Sequence, residues 1–361
     1  MGTHLEREDS ASLPPFPEGW YFVARRRAIL KAKLIQKTWM GKEIVAWCDG
    51  EGCVCVAESV CPHMGAALGP AAGGKVQDGR LVCPFHGFEY DATGRCVATP
   101  FAAAPKSTGL SVFETREILG MVFAWWGSGG RPPQWNLPVE PLARNDWTDP
   151  ELRTLRFPGH PQETTENSVD LAHLRYVHGY NAVRQVGPVS VDGPYLQSCF
   201  EFKRTRTIAG IFEVSFDISV ISHVFGLGYS FVEIHEHSIG MDSRLWVLAT
   251  PVDGTLVDLT LVGQMRSIRK PKRPIVGLRF APPGLRTRIM NTMILSGQRR
   301  DVLQDAVIWR SKTYRPRPRL CRSDGAIGTY RRYCRQFYPE PHGAGLEQPN
   351  HILSVSDGPA R

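Results

Sequence analysis

The first third of the chain alternates short apolar runs with clusters of Gly, Asp and Pro. Six of these runs have the length and composition of β-strands: Ile44–Trp47, Val54–Val56, Leu81–Val82, Phe88–Tyr90, Val112–Glu114 and Met121–Trp126. Short strands with frequent turns are typical of an antiparallel β-sandwich. The pattern predicts an all-β domain that begins at Phe16 and ends at a linker rich in Gly and Pro, residues 127–133.

The rest of the chain mixes longer strand-like runs with two helical patterns. The apolar spacing of residues 166–179, with Gly179 at the end, predicts one helix. Residues 214–262 read mostly as strands, and residues 287–309 read as a second helix. The expected fold class is therefore α+β. The predicted divisions are a disordered leader (1–15), an all-β domain (16–130), a second domain (131–340) and a flexible tail (341–361).

Length and composition agree with this division. The 361 residues exceed what one compact core normally serves. No run of about 18 apolar residues indicates a membrane span, and the polar N-terminus lacks the features of a signal peptide. The nine cysteines predict free thiols in a reducing cytoplasm, apart from those that bind metal.

The net charge of +8 is the one unusual feature of the composition. No nucleic-acid-binding motif accompanies it, so we do not expect a nucleic acid partner. A basic surface also attracts an acidic electron-transfer protein, because complementary charge raises encounter rates. A general preference for Arg is an equally simple cause.

Two short Cys/His motifs, nineteen residues apart, are candidate metal ligands. They are Cys61-Pro62-His63 and Cys83-Pro84-Phe85-His86. One thiolate and one imidazole from each of two loops fit a [2Fe–2S] cluster in which two His replace two Cys on one iron. Cys61 and Cys83 are then expected on one iron, and His63 and His86 on the other. The alternatives are a structural zinc site, whose paired ligands usually have wider spacing, or unrelated core cysteines.

A second candidate site lies in the predicted helix at residues 166–179. Asp170 and His173 share a helix face, whereas His173 and His178 lie about 140° apart on an ideal helix. Both His side chains reach one metal only if the helix is bent or bulged. A 2-His-1-carboxylate iron site also needs an acid from elsewhere. Asp305 is the preferred candidate, with Asp301 as the alternative. Two satisfied core histidines are the simpler alternative.

Together these motifs resemble the catalytic subunit of the Rieske non-haem iron oxygenases. Asn167-x2-Asp170-x2-His173-x4-His178 is similar to the family's iron motif, and Asp305-x2-Ile308-Trp309 to its late carboxylate. The opening and the ending, residues 16–20 and 324–338, resemble the branch of 3-ketosteroid 9α-hydroxylases and cholesterol 7-desaturases. Phe88 departs from the family, many of whose members have Trp there.

The resemblance implies a helix-grip-like catalytic domain with iron held by His173, His178 and Asp305. It implies that a separate reductase or ferredoxin passes electrons from NAD(P)H to the cluster. Asp170 is then the acid that bridges a cluster His of one subunit to an iron His of the next, in a homotrimer. Asn167 is expected beside the iron.

The substrate is less clearly specified. The resemblance implies hydroxylation or desaturation of an apolar polycyclic, steroid-like molecule with O2. The alternatives are an oxygenase or demethylase that modifies another metabolite or an aromatic compound, and a non-catalytic electron-transfer or zinc-binding protein. His235 and His237 either anchor the substrate or lie on a solvated strand face. Residues 275–295 form a lid, a membrane-contacting patch or a surface helix.

Overall fold

The N-terminal part of the molecule consists of three small antiparallel sheets. The computed structural model describes residues 12–107, 109–138, 146–208, 212–268, 278, 280–321 and 324–338. The first eleven strands are β1 (Gly19–Arg25), β2 (Leu34–Trp39), β3 (Lys42–Cys48), β4 (Val54–Glu58), β5 (Lys75–Gln77), β6 (Arg80–Val82), β7 (Glu89–Tyr90), β8 (Cys96–Ala98), β9 (Val112–Phe113), β10 (Thr115–Ile118) and β11 (Met121–Trp126). They form sheets with the strand orders β1-β11-β10, β2-β3-β4-β9 and β5-β6-β7-β8. One short helix, α1 (Arg26–Ala32), follows β1. The prediction of an all-β N-terminal domain is confirmed.

The C-terminal part is one large antiparallel sheet flanked by helices. Its strands are β12 (Glu151–Pro158), β13 (Asn181–Gln185), β14 (Ser190–Asp192), β15 (Tyr195–Ile208), β16 (Phe212–Phe225), β17 (Tyr229–Glu236), β18 (Met241–Pro251) and β19 (Leu256–Met265). The order is β12-β19-β18-β17-β16-β15-β13, with β14 paired to β15. The helices are α2 (Pro161–Thr165), α3 (Leu171–Tyr176), α4 (Pro283–Ser311) and α5 (Ile327–Cys334). Among the described residues, no helix has both the length and the apolar character that crossing a membrane requires.

The two faces of the large sheet have different partners. One face packs against the β1-β11-β10 sheet, where Trp20 and Phe123 share a core with Tyr229 and Trp246. A Cβ at Gly228 would come within 2.5 Å of the Trp20 carbonyl oxygen, so only glycine permits this close approach. The predicted boundary near residue 130 stays a prediction, and the two parts share a continuous core.

The opposite face of the sheet carries α4. Leu295 packs on Leu245 and Leu261, and the amide of Asn291 donates to the Gly263 carbonyl at 3.2 Å. The segment 275–295 therefore includes the first turns of α4, which lie on the sheet as a helix. Residues 275–277 and 279 of that segment fall outside the described residues, as do residues 1–11 of the leader and the whole tail.

The predicted single helix over residues 166–179 is wrong. Residues Glu166–Ser168 form a short 3-10 helix, and α3 begins only after Asp170. Asp170 has an extended backbone (φ −89°, ψ 103°), and its Oδ1 accepts from the N–H groups of Ala172 and His173. An Asp whose side chain caps the following turn is a strong helix start, which explains the interruption.

Candidate metal centres

The two Cys/His loops have the same backbone hydrogen bonds. In the first loop, the Cys61 N–H donates to the Ala66 carbonyl, and the Gly65 N–H donates back to Cys61. In the second loop, the Cys83 N–H donates to the Phe88 carbonyl, and the Gly87 N–H donates to the Cys83 carbonyl. Both glycines have positive φ, +77° and +66°. The repeated Cys-x3-Gly spacing is a sequence signal for paired loops that the ligand types alone do not convey.

The cysteines lie inside this pair of loops and the histidines lie outside. Cys61 and Cys83 are buried, whereas the His63 ring is exposed and lies 4.9 Å from that of His86. Phe88 stacks on His63 with ring centroids 4.2 Å apart. The presence of Phe88, where many family members have Trp, thus affects packing against the His63 ring.

The donors around the sulfur atoms fit a thiolate-bound cluster. Burial raises the pKa of Cys83, while the backbone N–H groups of Phe85 and His86 point at its sulfur and favour the thiolate. The Tyr90 hydroxyl lies 3.1 Å from the Cys61 Sγ, and burial raises the pKa of Tyr90. Sequence reasoning missed Tyr90.

Within the part of the chain that the structure describes, one set of three side chains meets the geometry of a single metal ion. It consists of His173, His178 and Asp305, whose ligand atoms lie within 4.8 Å of one another. The Nε2 of His178 lies 3.4 Å from the Asp305 carboxylate, and both side chains are more than nine-tenths buried. His178 reaches this position because α3 ends at Tyr176 and the chain turns, with a His178 N–H bond to the His173 carbonyl. No bulge inside the helix is needed.

Hydrogen bonds fix both imidazoles with Nε2 toward the centre. The Nδ1 of His173 lies 2.6 Å from the Asp170 carbonyl oxygen, and the Nδ1 of His178 lies 3.0 Å from Gln304 Oε1. An Nδ1–H donated outward leaves the Nε2 lone pair for a metal. Burial lowers the pKa of His173, which favours the neutral ligand form. Burial also acts to lower the pKa of His178, but Asp305, Gln304 and Asp301 together more than offset it, so this pKa is raised.

The alternative carboxylate, Asp301, does not face the two histidines but contacts other side chains around the site. It pairs with the Arg204 guanidinium and accepts from the Tyr180 hydroxyl at 3.0 Å. The Tyr180 ring lies 5.5 Å from that of His178. Asp301 therefore anchors the chain just after α3 and leaves Asp305 as the acid that faces both histidines. Arg204, Tyr180 and Gln304 were not found from the sequence.

A buried ionic network supports the site from the other side. Glu166 pairs with Arg331 (2.7 Å) and Lys312 (3.1 Å), and Lys312 also contacts Glu163 at 2.8 Å. These residues come from α2, the 3-10 helix before α3, the end of α4 and α5. The network holds the segment with His173 against the end of the helix that carries Asp305.

Of the other predicted site residues, Asn167 lies next to α3, whereas the sheet separates His235 and His237 from the clustered ligands. Asn167 lies half-buried in the 3-10 helix before α3. His235 and His237 project from the face opposite the three clustered ligands, where they contact Asp242 (2.6 Å) and Ser219 (2.7 Å). The structure thus favours the strand-face interpretation of this histidine pair.

Comparison with known proteins identifies both parts of the chain. The family described as "3-Ketosteroid 9alpha-hydroxylase C-terminal domain" matches residues 124–338, and the Rieske [2Fe-2S] domain matches residues 19–114. The chain belongs to the Rieske oxygenases. This Rieske oxygenase has an N-terminal Rieske domain and a catalytic domain of the ketosteroid hydroxylase type, as the sequence resemblance implied.

Individual relatives cover most of the chain. A cholesterol 7-desaturase of Ciona intestinalis is 27% identical over 98% of this chain and 77% of its own length. A 3-ketosteroid-9-alpha-monooxygenase oxygenase component of Rhodococcus rhodochrous is 28% identical over 90% of this chain and 84% of its own. The crystal structure of dicamba monooxygenase bound to dicamba shares the fold, with a TM-score of 0.67 at 18% identity over 88% of this chain and 96% of that one.

Proposed function

We propose that this Rieske oxygenase uses O2 and externally supplied electrons to hydroxylate or desaturate a hydrophobic, steroid-like substrate. The observation that carries the proposal is the set of His173, His178 and Asp305, whose ligand atoms lie within 4.8 Å of one another. The named activities of the relatives, sterol desaturation and ketosteroid hydroxylation, support the substrate class.

His173, His178 and Asp305 would hold a mononuclear ferrous ion. Two imidazoles and one carboxylate are the ligand set of mononuclear iron sites in oxygenases, and an iron ion held there would supply O2 activation. The protein's part is to fix both imidazole tautomers through the Asp170 carbonyl and Gln304, and to keep the site buried.

Cys61, His63, Cys83 and His86 would hold the [2Fe–2S] cluster that delivers electrons. The buried thiolates and the outward-facing imidazoles fit an electron entry point at the surface. The relative from Rhodococcus rhodochrous is named as an oxygenase component, which supports a separate ferredoxin or NAD(P)H-dependent reductase as the electron source.

Electron transfer between subunits of a homotrimer completes the proposal. The Oδ1 of Asp170 is used to cap α3, while the side chain stays 29% exposed and can accept a hydrogen bond from a neighbouring molecule. Tyr176, at the end of α3, is 87% exposed, and Met64 and Phe85 in the cluster loops are 66% and 61% exposed. Exposed apolar side chains at both centres support a contact between the cluster loops of one subunit and α3 of the next.

Metal analysis with a substrate assay tests this function. We expect about three irons and about two sulfides per chain, and O2-dependent oxidation of a sterol or 3-ketosteroid when a ferredoxin and its reductase are supplied. A content of two irons with the cluster intact would leave only the non-catalytic alternative. Turnover of aromatic acids or alkaloids instead of steroids would keep the oxygenase and replace the substrate class.

A further inference from the structure

The middle of the large sheet has partly exposed apolar side chains on the face toward the proposed iron site. α4 lies over β12 and β19, and α3 lies beside β13. Between them, β16 and β17 form the middle of the sheet. Apolar side chains of these two strands remain partly exposed although strands flank them on both sides: Ile218, Val232 and Ile234. We call these three residues, with Val220 and Ser222, the trough floor.

The proposed iron ligands lie beside the trough floor. Ser198 on β15 is paired across the strands with Ser222, and its hydroxyl donates to the Ser168 carbonyl just before α3 at 2.6 Å. Neighbouring strands are about 5 Å apart. Ser222 is therefore one strand from the segment that leads into Asp170 and His173.

Ser222 is the polar member of an otherwise apolar floor. It is 5% exposed, and no described residue forms a hydrogen bond with its hydroxyl, which nevertheless is not one of the fully enclosed polar atoms without a partner. Of the other buried serines on this face, Ser198 donates to the Ser168 carbonyl and Ser230 donates to the Val247 carbonyl at 2.8 Å. Ser243 on β18 is 7% exposed and, like Ser222, has no hydrogen-bond partner among the described residues. A hydroxyl that is nearly buried, has no protein partner and is still accessible can bond to a ligand or a water molecule.

We propose that Ser222 is the specificity-determining residue that hydrogen-bonds a single oxygen of the substrate. This inference rests on the proposed function and assigns it a recognition residue. A hydroxyl both donates and accepts, so Ser222 can bind either an alcohol or a ketone. The trough floor then contacts the apolar rings, and the molecule lies with its oxygen-bearing ring near the proposed iron site.

The consequence is discrimination against the hydrocarbon. A site that is built to hydrogen-bond an oxygen rejects the analogue that lacks it, because the protein hydroxyl is then left unpaired. A neutral hydrogen bond corresponds to a roughly fivefold difference in affinity. The chain therefore prefers oxygenated sterols over the matching hydrocarbon by about that factor or more.

Equilibrium binding to the metal-loaded protein, without electron donors, tests this role. The probes are cholesterol, cholest-4-en-3-one and the hydrocarbon cholest-5-ene, and the readout is quenching of tryptophan emission. Ser222→Ala should lose most of the preference for the oxygenated probes and keep its affinity for the hydrocarbon. Ser222→Cys, which preserves size but hydrogen-bonds weakly, should do the same if the alanine variant folds poorly.

Ser230→Ala is the matched control, since it removes a satisfied hydroxyl from the same face and should keep the preference. A preference retained in both Ser222 variants overturns the assignment while the proposed function stands. Equal binding of all three probes by the unchanged protein also overturns it. If no sterol binds, the steroid class itself is wrong, and the Ser222 assignment falls with it.

Discussion

The two metal regions differ in the sequence separation between their candidate ligands. The cluster loops occupy residues 61–88, and each loop closes through its own backbone hydrogen bonds. The proposed iron site combines His173 and His178 with Asp305, more than 120 residues later. A local pair of loops specifies the first site, whereas the second exists only when a helix end, a turn and a long helix are packed together.

The two regions also differ in the kind of interaction that surrounds their candidate ligands. The exposed side of the cluster region has aromatic contacts such as Phe88 on His63. The iron region is enclosed by buried charges, with the Glu166 network on one side and the Asp301–Arg204 pair on the other. Buried pairs act over long sequence separations, but each becomes costly when one partner is lost. We therefore expect mutations to separate the two regions cleanly.

Removing Asp305 should have the largest effect. In Asp305→Ala the metal loses its carboxylate ligand, so iron content should fall from about three to about two per chain and turnover should become undetectable. The visible spectrum of the cluster should not change, because its loops are local. Iron and sulfide analysis with an activity assay measures this. Asp301→Asn is the control, and full activity in Asp305→Ala would transfer the ligand role to Asp301.

Asp170→Asn should separate the two centres without removing either. Asn is as good a helix cap as Asp, so α3 and both metal contents should be preserved. The charge that is proposed to join neighbouring subunits is lost, and we expect cluster reoxidation in a single turnover to slow by about a hundredfold. Stopped-flow absorbance of the reduced protein with O2 and substrate measures this. An unchanged rate would exclude Asp170 as the bridge.

The sequence predicts the cluster region better than the iron region because the cluster loops are local, whereas the iron region depends on contacts between distant residues. Cys61 to His86 carry their geometry in local spacing. The iron ligands were also proposed from spacing, but the break before α3 depends on whether Asp170 caps a turn or continues a helix. The partners of Glu166 come from residues 312 and 331, and the sheet face of His235 depends on strand register. Long-range pairing of this kind leaves little trace in a local pattern.

The stability of the two regions should respond differently to the loss of one carboxylate. Glu166→Gln leaves Arg331 and Lys312 largely buried with a weaker partner, so the free energy of unfolding should fall by about 2–3 kcal/mol. Glu117→Gln, in the N-terminal part, breaks an exposed pair with Arg26 and should change it by less than about 0.5 kcal/mol. Urea unfolding measures both. Equal losses would mean that the buried network does not hold the iron region.

Tyr90→Phe should have the smallest effect of these variants, because it should alter the cluster and leave the iron site unchanged. When Cys61 is a metal-bound thiolate, the Tyr90 hydroxyl is the donor across their 3.1 Å separation. A hydrogen bond to a thiolate stabilises the reduced, more negative cluster, so Tyr90→Phe should lower the reduction potential by about 40 mV, equivalent to roughly 1 kcal/mol. Spectroelectrochemical titration measures the shift.

Tyr195→Phe, which breaks the bond to His223 far from the cluster, should leave the potential unchanged. An unchanged potential in Tyr90→Phe would show that the backbone N–H groups around Cys83 set it instead.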